Sequence, residues 1–219
     1  MEAFLAYGLA QQDRLIEAFG QHLALVFVAL LFSVMLAALI TTALQLAIHK
    51  NLRVGDRAAE YVQGFLSAIY AVPSLALFAL CVPLLGIGST TAVIVLIAYN
   101  QFFLVRNFTA GLKGIDEGLI QASRSLGMTR LQTFTHIQLP LALPTFIAGV
   151  RLAAISTIAI ATIASLIDAG GLGTIIFSGL RTNNLDQLLW ATLLATILAV
   201  TTNAVLTLIG KIFAYPKAT

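Results

Sequence analysis

The sequence predicts an all-α integral membrane protein whose five transmembrane helices are interrupted, on one side, by a polar elbow. Three observations carry that expectation. Of 219 residues, 59% are hydrophobic and only 10% charged, against roughly 45–50% and about 25% in soluble domains. The apolar stretches continue for about 20 residues, the length of a spanning helix, instead of alternating over about 10 as barrel strands do. Between two of them lies QASRSLGMTRLQTFTHIQLPLALP, residues 121–144, a polar stretch broken by a glycine and closed by two prolines.

The amino-terminal segment 1–22 has no positively charged start, and Gln11, Gln12 and Asp13 break its apolar run, so it does not fit a cleavable signal peptide. It reads as a short external amphipathic helix with Leu15, Ile16 and Phe19 toward lipid, or as a frayed terminus. The membrane domain then covers 23–213, with spans at 23–48, 59–85, 91–112, 145–167 and 188–213, followed by a tail at 214–219. Cys81 is the single cysteine, which excludes an internal disulfide and a cysteine-based metal cluster.

Charge sets the orientation. Lys50, Arg53 and Arg57 follow the first span, Arg106 and Lys113 end the third, and Arg124 and Arg130 lie in the polar stretch. Arg151 opens the fourth span, Lys211 and Lys217 end the fifth, and only Arg14 and Arg181 fall on the opposite side. Because positive loops stay in the cytoplasm, the amino end is expected outside, the carboxyl end and the polar stretch inside, in the cytoplasmic membrane. The outer glycine-rich loop 168–187, with IDAGGLGTIIFSGLRTNN at its start, suggests a flexible turn and a short re-entrant or surface helix. It serves as a gate, a docking surface or a plain connector.

Several chemical signals fail on inspection. Gly210-Lys211 is followed by Ile212, and Val205 stands where a phosphate-binding loop needs its first glycine, so no nucleotide site is expected. Gly171-Leu172-Gly173 starts a dinucleotide fingerprint, but Ile176 occupies its last small position. His22, His49 and His136 are scattered without carboxylates at ligand or triad spacing and are expected at membrane edges or on the surface, so no metal site is predicted. The middles of the spans lack acids, which argues against an ion-coupled carrier. An energy-independent channel and a membrane scaffold without a transport role are the remaining alternatives of another class.

Inside the spans, Gly149, Ala153, Thr157, Ala161 and Ser165 recur every fourth residue. Such a small-residue stripe admits a close helix, from the same chain or from a second copy. Pro73 should kink the second span near mid-depth, and Pro83 lies a few turns further on. Tyr99, Asn100 and Gln101 put amides into the third span, where bare lipid would penalise them. With Tyr70, Pro73 and Ser74 they form a candidate substrate path, or else hydrogen bonds between helices.

The polar stretch itself has helical logic. Leu119, Ala122 and Leu126 share one face, Gly127 breaks the helix, and Thr129 can cap a second one with Leu131, Phe134 and Leu141 on its inner side. Pro140 and Pro144 are expected to end this element and start the next span. Arg124, Arg130, Gln132 and His136 are then offered to the cytoplasm.

These residues resemble the cytoplasmic motif of permease subunits in binding-protein-dependent ABC importers: E-A-A, three residues, G, nine residues, I, any residue, L-P. Here the positions read Gln121-Ala122-Ser123, Gly127, and Ile137-Gln138-Leu139-Pro140, with both spacings kept. Gln121 and Ser123 depart from the pattern but keep helix-compatible residues. The length, span layout and outer loop look like the small permeases of the methionine and quaternary-amine importers, with IDAGGLG and GLRTNN closer to the osmoprotectant branch. The resemblance implies a type I importer permease fold and a coupling segment at 115–144, including Arg124 and Arg130, that docks on a separate ATP-binding subunit present in two copies. It further implies no cofactor in this chain, ATP and magnesium on the partner, a second permease chain, an external binding protein, and no nucleic-acid partner. The implied cargo is a compatible solute such as glycine betaine, carnitine or choline, with methionine or another small amino acid as the alternative.

Overall fold

The computed structural model describes residues 2–50 and 52–213. Their order is α1 (Glu2–Ala10), α2 (Gln12–Lys50), α3 (Leu52–Ala71), α4 (Ser74–Leu85), α5 (Ser89–Lys113), α6 (Glu117–Ser125), α7 (Arg130–Thr133), a π-helical turn (Phe134–Gln138), α8 (Leu139–Ala164), α9 (Leu172–Arg181) and α10 (Leu185–Ile212). Among the described residues, α2, α5, the continuous stretch Arg130–Ile167 and α10 are long and apolar enough to cross a membrane; the bent pair α3–α4 makes a fifth span. The predicted tail 214–219, with Lys217, lies outside the described residues, as do the side chains of His49, Lys50 and Arg53.

The first span starts earlier than its apolar run suggested. Residues 12–22 form no separate surface helix but extend α2. Leu15 is buried with Ala18 against Leu172, Ile175 and Ala191, so it faces protein, and only Ile16 of the predicted lipid-facing set is fully open. His22 corrects the surface assignment: it is 0% exposed, and its Nε2 lies 3.2 Å from the Ile158 carbonyl of α8. The helix α1 lies against α10, where Phe4 stacks on Trp190 at 4.7 Å between centroids and the indole N–H donates to Phe4 O.

Pro73 does more than kink the second span. Its missing N–H and the restriction it puts on Val72 stop α3 at Ala71, and α4 departs at 97°. The carbonyl freed at Val72 is not left bare, because the Tyr99 hydroxyl of α5 donates to it at 2.5 Å. The sequence alone could place this break but not its angle, which Phe78 sets by burying against Val95 and Leu96.

The centre of the bundle is the antiparallel contact of α5 with α8. An added Cβ at Gly149 would lie 2.6 Å from Asn107 Cβ, Ala153 packs with Leu104 and Val105, and Ala161 packs with Val95 and Leu96. The small-residue stripe is therefore consumed within the chain, which corrects its alternative use as a contact with a second permease. Its last member, Ser165, faces α9 instead. The helix α9 is reached through positive φ at Asp168 (63°), Gly170 (77°) and Gly171 (79°), the turn that brings it back onto α8.

At Gly173 a Cβ would sit 1.9 Å from the Thr162 carbonyl, closer than any side chain tolerates. Gly173→Ala should therefore push α9 off α8 and cost about 1–3 kcal/mol, the usual range for overpacking. A thermal melt in detergent checks this; Gly64→Ala, with nothing within 4 Å of its Cβ, should leave the midpoint unchanged or raise it.

Candidate functional site: the elbow and the buried polar network

The elbow is built as its residues dictate. Asp116 caps α6, its carboxylate accepting from Gly118 N at 2.5 Å. The helix closes on Gly127 at φ 83°, with Met128 N donating back to Ser123 O and Gly127 N to Arg124 O, the left-handed ending glycine is suited to. Thr129 and Gln132 then form a reciprocal capping box, which starts α7 at a defined angle. The two arms are tied where Ser123 Oγ meets Thr133 Oγ1 at 3.1 Å, both buried.

That tie separates the predicted coupling residues. Gln121, Ala122, Arg124, Gly127 and Arg130 are exposed, Ile137, Leu139 and Pro140 half-buried, and Ser123 is inside the elbow. Of the residues expected on the inner side of the second helix, Leu131 is turned outward, 71% exposed, and Phe134 and Leu141 are only partly covered; on the first arm Leu126 is 84% exposed and Leu119 50%. Apolar groups uncovered at this density are a contact surface awaiting a partner. The prolines do not end the element either. In the π-helical turn Leu139 N–H reaches Phe134 O, five residues back. Pro140 and Pro144 sit in the first turns of α8, and one unbroken helical path runs from Arg130 to Ile167.

The second candidate site resolves differently. Asn100 is 1% exposed and joins three helices. Its Nδ2 donates to Ser33 Oγ of α2 at 3.0 Å, and its Oδ1 lies 2.8 Å from the Thr157 hydroxyl of α8. Gln101 donates to the carbonyls of Ser33 and Ile97. These amides bond helices together and line no open path in this chain, so Asn100, Gln101 and the buried Tyr99 leave the substrate set. Tyr70 and Ser74 stay half-buried and Pro73 exposed at the bend. Ser33 was legible but overlooked: a lone serine in a long apolar run needs a partner. Trp190, the one tryptophan, is covered by Phe4 and offers no free ring to a ligand.

A five-span bundle presenting an outward-facing apolar elbow at one end is a polytopic membrane protein with an uncovered contact surface. Comparison with known proteins places it: the chain belongs to the family of binding-protein-dependent transport system inner membrane components, which it matches over residues 40–215. It is 33% identical over 187 residues to the glycine betaine/carnitine/choline transport system permease protein OpuCB of Bacillus subtilis, covering 85% of this chain and 82% of the relative. It is 41% identical over 143 residues to the carnitine transport permease protein OpuCB of Listeria monocytogenes, covering 65% of this chain and 66% of that relative, just under two thirds of its length. In fold it is similar to the inward-facing MetNI methionine ABC transporter, with TM-score 0.82 and 21% identity over 94% of this chain and 99% of the other.

If the Asn100 network is structural, Asn100→Leu should lower stability by about 1 kcal/mol, the typical worth of a hydrogen bond between membrane helices. Uptake assays should then show an unchanged KM for the transported solute. A raised KM at normal abundance would return Asn100 to the path.

Proposed function

We propose that the chain is the transmembrane permease subunit of an ATP-driven importer for a quaternary-ammonium compatible solute of the glycine betaine, carnitine or choline type. The observation that carries the reading is the elbow: a capped, internally tied turn whose leucines face outward. The names of the sequence relatives support the cargo. In this reading the elbow lies in the cytoplasm and docks on an ATP-binding subunit, present in two copies and holding ATP and magnesium. The amino end is outside, the carboxyl end is cytoplasmic, a second permease chain completes the membrane unit, and an external binding protein delivers the solute. Selection at high affinity falls to that binding protein.

The mechanical part follows from this chain's own residues. Gly127, the capping box and the Ser123–Thr133 contact make the elbow a rigid body. Its second arm continues without a break into α8, so a displacement at the elbow is carried along one helix. At the far end of that helix, Gly173 and Ser165 lock α9 to it, and the outer turn moves with the inner elbow.

Import of methionine is the second reading, favoured by the similarity to the methionine transporter structure, although 21% identity there speaks for fold alone. Competition of uptake among glycine betaine, carnitine, choline and methionine separates the two; strong methionine transport without betaine transport sinks our choice. Asp is among the few residues besides glycine that enter the left-handed region at modest cost, and nothing lies within 4 Å of a Cβ at Gly127. Gly127→Asp should therefore insert normally yet place a charge on the docking face and uncouple ATP hydrolysis from uptake. Normal uptake by that variant would refute the docking role.

A further inference from the structure

One face of helix α3 is not covered by the bundle. Glu60, Gly64, Ser67 and Ala71 recur at helical spacing and all are exposed. Ser67 satisfies its hydroxyl on the Gln63 carbonyl, whereas the carboxylate of Glu60 is penalised by lipid and borders water or protein. The register of the neighbouring helix is set by two contacts: Lys113 pairs with Asp56 at 3.0 Å, and Phe102 stacks on Tyr70 at 4.5 Å. Between them, level with Gly64 and Ser67, α5 exposes Arg106.

Arg106 lies seven residues before Lys113 at the end of α5, about 10 Å along the axis, and so within the span. Among the described residues no carboxylate lies within ion-pair distance of it. Its guanidinium is held 5.9 Å from the Phe102 ring centroid. Phe102 in turn stacks on Tyr70, which meets Phe103 edge-on at 5.0 Å and 77°, three residues before Pro73. An uncompensated cation and a half-buried aromatic group thus share one open seam.

We propose that this seam is the chain's own transit site for a zwitterion, with Arg106 binding its carboxylate and the Tyr70–Phe102 pair meeting its quaternary ammonium group. The assignment rests on the reading of the chain as a permease for quaternary amines and deepens it. A guanidinium donates paired N–H groups to a carboxylate, and aromatic rings attract a methylated ammonium without needing hydrogen bonds. The same guanidinium repels a bare cation, so the seam favours betaines over choline and resists leakage of inorganic cations.

The test uses the complete importer with its unaltered binding protein, in cells lacking other uptake of these solutes, and measures glycine betaine and choline uptake separately. Arg106→Gln should lower betaine uptake about tenfold relative to choline, the size of one lost charge-assisted contact, and Arg106→Lys should restore most of the ratio. Gly64→Glu, with nothing within 4 Å of its Cβ, sets a carboxylate level with Arg106 and should shift the ratio the same way; it carries the test if Arg106→Gln does not accumulate. An unchanged ratio, or equal loss of both solutes, overturns the site while leaving the permease reading intact. A wild-type importer that carries neither solute overturns the cargo reading, and the site with it.

Discussion

The close approach of α5 to α8 is the contact on which the rest of the bundle depends. Helices in lipid gain little from burying apolar surface against one another, because the surrounding chains are equally apolar. What holds them is dispersion at short range and the hydrogen bonds that short range permits. Gly149 against Asn107, Ala153 against Leu104, and Ala161 against Val95 supply the first. Asn100, bridging Ser33 and Thr157, supplies the second and draws in α2. With α2, α5 and α8 joined, α3 and α4 pack from one side, and α9 and α10 from the other.

The same contact explains how one chain can be both rigid and mechanically useful. The path from Arg130 to Ile167 is continuous, and it is gripped along its length by α5. Glycine turns stand at its two ends, Gly127 below and Gly170–Gly171 above, all at positive φ. An element gripped along its length and tied to its neighbours at both ends is built to move as a unit. The π-helical turn between α7 and α8 belongs to this design, since five-residue spacing accommodates Pro140 where a regular helix would be broken.

Much of this was legible in residues 1–219. Gly127 and Thr129 announce the elbow by their conformational and capping chemistry, and the charge partition and apolar lengths announce the spans. The small-residue stripe announced a close helix. Its partner was not announced, because periodicity says that a face is tight and says nothing about which helix fills it. The amides at Asn100 and Gln101 were ambiguous for the same reason: polarity in a span demands satisfaction, and both water and a neighbouring hydroxyl provide it. His22 was misplaced because it is covered by a segment far away in sequence, α8, and the cover that α1 lays over Trp190 is equally remote in sequence.

By itself, then, the sequence determined what acts through local rules: helix starts and stops, span length, the break at Pro73, and the glycine and capping residues that make the elbow. Tertiary structure decided what depends on contacts between distant residues. It turned the elbow's leucines outward, spent the stripe inside the chain and closed the Asn100 network. Among the described residues it also left Arg106 without a carboxylate at ion-pair distance, beside Phe102. The physical reason is that backbone conformation is set by each residue and its near neighbours, whereas burial and partnership are properties of the packed bundle, where five helices compete for the same faces.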